Sequence, residues 1–266
     1  MKRAFWFIEK GDTAIIATAI HSGHEISERL LDKLALSDAD RLREEDPYTD
    51  LFTEVTDNRV IVHHSRFEVD LNRPRDMAVY RKPEDAWGLT VWKSSLSQED
   101  IAKSLSIYDR FYGEMERFLQ DIKNRFQNFV VLDIHSYNHH RMGPNAPFDD
   151  PEENPDINIG TDTLKNPEKW RGLIDDVIAT MHHFDYFGRH LDVRENVKFG
   201  GGYFAEWIHE KFLPNACVIS VEFKKFFMDE WTGEADPAQL KALRKLMQST
   251  IPVIEKHLEQ LSNRHK

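Results

Sequence analysis

At 266 residues the chain is long enough for one large α/β domain with a sizeable core. Its 40% hydrophobic and 30% charged residues, with 17 Phe, 6 Trp and 7 Tyr, exclude a disordered chain. A net charge of −11 argues against a polyanion-binding surface, so nucleic acid is not an expected partner and any anionic ligand must be met by local arginines.

The N-terminus, MKRAFWFIEK, starts with basic residues, but its apolar stretch ends at Glu9 and Lys10, too short for a signal peptide or membrane span. Short apolar runs at 13–20, 60–62, 129–134 and 216–221 predict buried strands. A helix is predicted over 97–126, opened by the capping signature SQED. Its stripe is Ile101, Leu105, Tyr108, Tyr112, Met115, Leu119, Ile122 and Phe126. The Pro- and Asp-rich stretch 143–156 reads as a long surface loop. Two more helices are predicted at 167–184, around Trp170, Ile174, Val177 and Met181, and at 237–261, around Leu240, Leu243, Leu246, Ile251 and Ile254. The single cysteine, Cys217, excludes an intramolecular disulfide and a thiolate metal cage, and its apolar neighbours make it a core residue. A single domain spanning 1–266 in a reducing cytoplasm is the expectation. Strands separated by helices predict an α/β/α sandwich around a mostly parallel sheet, where ligands bind beyond the carboxyl ends of the strands.

Reading past each apolar run finds the chemistry. The first is followed by HSGHE at 21–25, the third by His135, Ser136 and Tyr137, and the fourth by Glu222. If these strands are parallel, the groups converge on one edge of the sheet. With one cysteine, a catalytic zinc would take its roughly three protein ligands from His and carboxylate. His21, His24 and His135 form the expected set, provided Gly23 lets the chain turn back on itself. Glu25, Glu45 and Asp46 compete with His24 for the remaining position. The same spacing also fits histidines that merely cap strand ends. Asp133, two residues before His135, is placed to orient its imidazole. The doublets 63–64, 139–140 and 182–183 read as structural or peripheral.

Glu222 reads as a general base, against the alternative of a salt bridge to Lys224 or Lys225. In the segment SRFEVDLNRPR at 65–75, Asn72 and Arg73 suit recognition of a carboxylate, and Arg66 suits an oxyanion. The alternative there is a structural network with Glu68 and Asp70. The glycines of FGGGY at 199–203 permit close backbone approach and open a predicted helix. They lack the Lys-Ser/Thr of a nucleotide loop.

Taken in order, HSG at 21–23, EDPYTD at 45–50, SRFEVDLNRP at 65–74, LDIHS at 132–136, NIGT at 158–161, NVKFGGGY at 196–203 and ISVE at 219–222 resemble the N-formylglutamate amidohydrolase family over roughly 13–227. The elements DLNR, HSY and the strand-end Glu are also similar to the zinc carboxypeptidase and aspartoacylase superfamily. The resemblance implies a zinc-carboxypeptidase-like sandwich around a mixed sheet and a zinc amidohydrolase acting on a small N-acyl acidic amino acid. It gives His21 and His135 as Zn2+ ligands and Glu222 as the catalytic glutamate. Arg66 would polarise the scissile carbonyl, and Asn72 and Arg73 would hold the α-carboxylate. Where the carboxypeptidases have Glu three residues after the first His, this chain has His24. A carboxypeptidase or γ-glutamyl hydrolase is the first rival, separable by the room in its cleft. A non-catalytic module that binds an acidic ligand is the second.

Overall fold

The computed structural model describes residues 4–263, so the basic residues at 1–3 lie outside the described part. Seven strands form one mixed sheet: β1 (Trp6–Glu9), β2 (Ile15–Ala19), β3 (Asn58–Val62), β4 (Phe129–Tyr137), β5 (Ile157–Gly160), β6 (Val193–Glu195) and β7 (Ala216–Lys224). Their order is β1-β3-β2-β4-β7-β5-β6. The four predicted apolar runs are β2, β3, β4 and β7, and these lie side by side and parallel. β1 is antiparallel to β3 and β5 to β7, while β6 runs parallel to β5. The three unpredicted strands are the short outer ones, of three or four residues, too brief to give a period-2 signal.

Among the described residues there are seven α-helices: α1 (Glu28–Leu31), α2 (Asp38–Glu44), α3 (Thr49–Phe52), α4 (Gln98–Phe126), α5 (Pro167–His183), α6 (Tyr203–Lys211) and α7 (Pro237–Asn263). The long ones fall where the apolar stripes put them. Ser97 caps α4 by accepting the Asp100 N–H at 3.1 Å, a contact worth about 1 kcal/mol. Trp170, Ile174, Val177 and Met181 of α5 join Leu243, Leu246, Ile251 and Ile254 of α7 in one core with Val130, Leu132, Ile134, Cys217, Ile219 and Val221. Met115, Leu119 and Ile122 of α4 join Phe204 and Ile208 of α6 in a second core with Phe129, Val131, Ala216 and Val218. Alternate residues of the same strands thus feed two cores, and the sheet lies between two helical layers as an α/β sandwich. Among the described residues, no helix is long and apolar enough to cross a membrane.

His209 ties α6 to β7. It is 1% exposed, its Nε2 accepts the Val218 N–H at 2.8 Å, and its Nδ1 meets the Thr163 hydroxyl at 2.9 Å. Burial pushes its pKa from 6.5 down to about 4. The folded protein therefore keeps this ring neutral while the unfolded chain protonates it, so its contribution is complete above pH 6.5 and is lost as pH falls toward 4. Urea unfolding across that window should show wild type losing up to about 1.4 kcal/mol per pH unit more than His209→Gln. Parallel pH profiles would contradict this account.

Candidate active site

Parallel pairing brings the predicted strand ends to one edge. His135 and Glu222 are register partners on β4 and β7, and Asn158 of β5 sits opposite Glu222 from the other side. By alternation they share the sheet face covered by α4 and α6, and Asp133 is on the same face one step below His135. His21 follows β2 by two residues. Gly23 works through space rather than through an unusual backbone angle. A Cβ there would lie 2.2 Å from the His63 carbonyl carbon, so only glycine lets the turn after β2 lie against the end of β3.

The centre of the site is Asp46. Its Oδ2 lies 2.9 Å from His135 Nδ1 and 3.6 Å from His21 Nδ1, and the two rings meet edge to face with centroids 5.0 Å apart. One donor atom from each of His21, Asp46 and His135 lies within 4.8 Å of the other two, and all three residues are buried. Each imidazole turns its second nitrogen to a different carboxylate: His21 Nε2 lies 2.8 Å from Asp70 Oδ1, and His135 Nε2 lies 3.0 Å from Asp133 Oδ2. The Thr18 hydroxyl in turn donates to Asp133 Oδ1 at 2.7 Å. Carboxylates behind histidines in this way fix the tautomer and aim the remaining nitrogen, which suits metal binding. Four carboxylates, of Asp46, Asp70, Asp133 and Glu222, act electrostatically on these two rings, an excess of negative charge that a dication would relieve.

His24 does not join this group. Its Nδ1 lies 2.5 Å from Glu45 Oε2 and its Nε2 3.0 Å from Arg41 Nη2, leaving the side chain 38% exposed. The place expected of His24 beside His21 and His135 is taken by Asp46, one of the carboxylates that competed for the position. The physical reason lies in α2, which delivers the chain so that the Asp46 N–H donates to the His21 carbonyl at 3.0 Å. Glu45 is used up in holding His24 and the Ser65 hydroxyl, and Glu25 lies alongside His64, where its N–H donates to the His63 carbonyl.

Electrostatics separates the acidic groups. Burial opposes ionisation of Asp46, but hydrogen bonds from His135 and His21 hold its carboxyl well below the usual range. Burial likewise opposes a charge on His135, yet Asp133 and Glu222 raise its pKa well above the usual value. Glu222 behaves differently. Burial pushes it up to about 7, with His135 opposing and Asp46 and Asp133 adding to the rise. It is half-buried and makes no hydrogen bond or ion pair among the described residues; Lys224 pairs instead with Asp156 at 2.8 Å. A carboxyl with an unengaged head and a pKa near neutrality is suited to proton transfer.

A cavity of about 210 Å³ opens onto this cluster, lined by His21, Asp46, Arg66, Asn72, Arg141 and Glu222 among others. Arg66 donates from Nη2 to Asp70 Oδ2 at 2.8 Å and from Nε to the Tyr80 hydroxyl at 3.3 Å, with Trp87 across its face at 4.9 Å. Asn72 is set by α6: its Oδ1 accepts the Phe204 N–H at 2.9 Å, and a Cβ on Gly202 would lie 2.2 Å from that oxygen. The hydroxyls of Tyr108 and Tyr112 on α4 hold the carbonyls of Arg73 and Leu71 on either side of Asn72. Arg73 does not line the cavity. Its Nη1 donates to the Asp85 carbonyl at 2.7 Å and its guanidinium lies over Tyr80 at 4.6 Å, so the Asn72–Arg73 pair is split. Arg141, between the end of β4 and the Pro-rich stretch, lines the cavity instead and pairs with Glu44 at 2.8 Å.

Sequence reasoning missed Asp70 as the partner of His21 and missed Arg141 and Lys225 as cavity residues. The signal for Asp70 was its place beside Asn72 in DLNR, where it was read only as a partner for arginines. The histidine doublets are engaged elsewhere: His63 with the Ala4 carbonyl, His64 with Glu68, His139 and His140 with Phe148, and His182 and His183 with each other.

A sequence model of the N-formylglutamate amidohydrolase family matches residues 13–226. No curated protein sequence matches the chain. The crystal structure of N-formylglutamate amidohydrolase from Ralstonia eutropha JMP134 is similar over 94% of this chain and 97% of its own, with 15% identity and a TM-score of 0.73. The crystal structure of a gene product of Agrobacterium tumefaciens is similar over 94% of this chain and 96% of its own, with 20% identity and a TM-score of 0.64. At these identities the two structures share the fold.

Proposed function

Because the chain belongs to the N-formylglutamate amidohydrolase family, whose members are named for amide hydrolysis, we propose that it cleaves the amide bond of a small N-acyl acidic amino acid with one zinc ion. The observation that carries this reading is Asp46 Oδ2 facing the Nδ1 atoms of two histidines whose other nitrogens are held by carboxylates, at the floor of a cavity that Glu222 also lines. His21, Asp46 and His135 would hold the ion; two imidazoles and a carboxylate are a common donor set for hydrolytic zinc. When bound, it supplies Lewis-acid chemistry, making water acidic at neutral pH and drawing electrons from a carbonyl.

The chain's own residues supply the remainder. Glu222 takes a proton from the attacking water and returns one to the leaving nitrogen, so that the carbon–nitrogen bond breaks to give an acid and a free amino acid. Arg66, held in place by Asp70 and Tyr80, steadies negative charge growing on the carbonyl oxygen. Asn72 and Arg141 line the cavity and bind carboxylate, while Arg73 is stacked on Tyr80. A cavity of about 210 Å³ has room for a small molecule beside these groups.

A panel of N-formyl, N-acetyl and peptidyl amino acids, each with zinc added or chelated, tests the proposal. Hydrolysis of N-acyl glutamate or aspartate that stops on chelation is expected. Preference for peptides would favour the carboxypeptidase rival, and turnover indifferent to chelation would remove the zinc.

A further inference from the structure

We propose that Lys225 is a positioning residue for the candidate metal centre, its buried ammonium clamping the peptide unit that carries Asp46; this rests on Asp46 being a metal donor. Lys225 lies three residues beyond Glu222 and is 1% exposed. Its Nζ donates to the Arg43 carbonyl at 2.6 Å, the Glu45 carbonyl at 2.7 Å and Asn138 Oδ1 at 2.9 Å. An ammonium has only three N–H bonds, and all are taken. Although the side chain lines the cavity, no donor remains for a substrate carboxylate, so Lys225 acts through its partners.

The Glu45 carbonyl is the decisive partner. The N–H of that same peptide unit belongs to Asp46 and donates to the His21 carbonyl at 3.0 Å. One peptide plane is therefore held at its oxygen from the β7 side and at its nitrogen from the end of β2. That plane sets the starting direction of the Asp46 side chain. The bonds to Arg43 and Asn138 reach the end of α2 and the residue just after β4, so one ammonium joins the segments that carry Asp46, His135 and Glu222.

Its charge has a second use. Lys225 makes no ion pair among the described residues and is held by carbonyl dipoles, yet Asp46, Glu44 and Glu230 all feel its field. It offsets part of the carboxylate excess without occupying an Asp46 oxygen, which stays available to the histidines and to an ion.

The test is the zinc affinity of purified protein, measured by competition with a chromophoric chelator, for wild type, Lys225→Met and Asn138→Ala. Thermal melting of the metal-free forms establishes that each variant is folded. Lys225→Met should weaken zinc binding about 10–100-fold. Saturating zinc should restore most of its kcat with KM unchanged, which simple loss of stability would not produce. If Lys225→Met does not fold, Asn138→Ala, which removes one acceptor, decides the matter by a smaller weakening in the same direction. Unchanged zinc affinity in a folded Lys225→Met, or in Asn138→Ala where only that variant folds, overturns the proposal. A wild-type chain that binds no zinc overturns the metal reading itself.

Discussion

Glu222→Gln should lower kcat on the order of 10²–10⁴-fold while leaving zinc affinity close to wild type. The substitution keeps the size of the side chain and removes only its capacity to take a proton. Glu222 contributes no hydrogen bond or ion pair to the fold among the described residues, so the variant has little structural reason to unfold. It also removes one of the four carboxylates acting on the two rings, so any change in zinc affinity should be a small weakening. Steady-state kinetics beside a metal titration reads both quantities. Retained kcat would remove Glu222 as the base. Loss of zinc together with loss of turnover would instead make Glu222 a ligand, an outcome its place beside His135 makes worth measuring.

His135→Ala should cost more, removing zinc binding and turnover together. The ring stands between Asp46 and Asp133, and its loss leaves those buried carboxylates facing a hole. Losing an outer hydrogen-bond partner of a metal ligand costs about 10–100-fold in affinity, so Asp133→Asn should fall within that range and His135→Ala beyond it. Zinc should also raise the melting temperature of wild type, because an ion bound only by the folded state at 100 times its Kd adds about 2.7 kcal/mol. His135→Ala should show no such rise. A zinc-dependent shift that survives the substitution would place the ion elsewhere.

The sequence was most legible where burial repeats with a period. The continuous apolar runs of β2, β3, β4 and β7 are what a sheet covered on both faces requires, and the stripes of α4, α5 and α7 mark the helices that cover it. Because those strands are parallel, the residues just past the apolar runs of β2, β4 and β7 come together at one edge, and these are His21, His135 and Glu222. Residues set by tertiary contacts were harder to read. Asp46 reaches the site because a short helix and a peptide unit held by Lys225 and His21 put it there, and none of these leaves a local pattern. Nearness in sequence misled at His24 and at Arg73. Each stands beside a residue of the site, yet Glu45 and Arg41 draw the first away, and Tyr80 and the Asp85 carbonyl draw the second.

The reversed direction of β5 has an architectural consequence. The segment that holds the Pro-rich stretch leaves the sheet after Tyr137, which pairs with Lys224, and returns at Ile157, which pairs with Phe223; the two partners are consecutive residues of β7. Departure and return thus lie at one rim, on either side of β7. The excursion is a closed detour that never has to cross to the far end of the sheet. Its length and composition can drift without pulling on the strands beneath. Arg141 rides on that detour while His135 and Glu222 stay on the rigid floor. A part that would face a new ligand can thus be rewritten separately from the candidate catalytic groups.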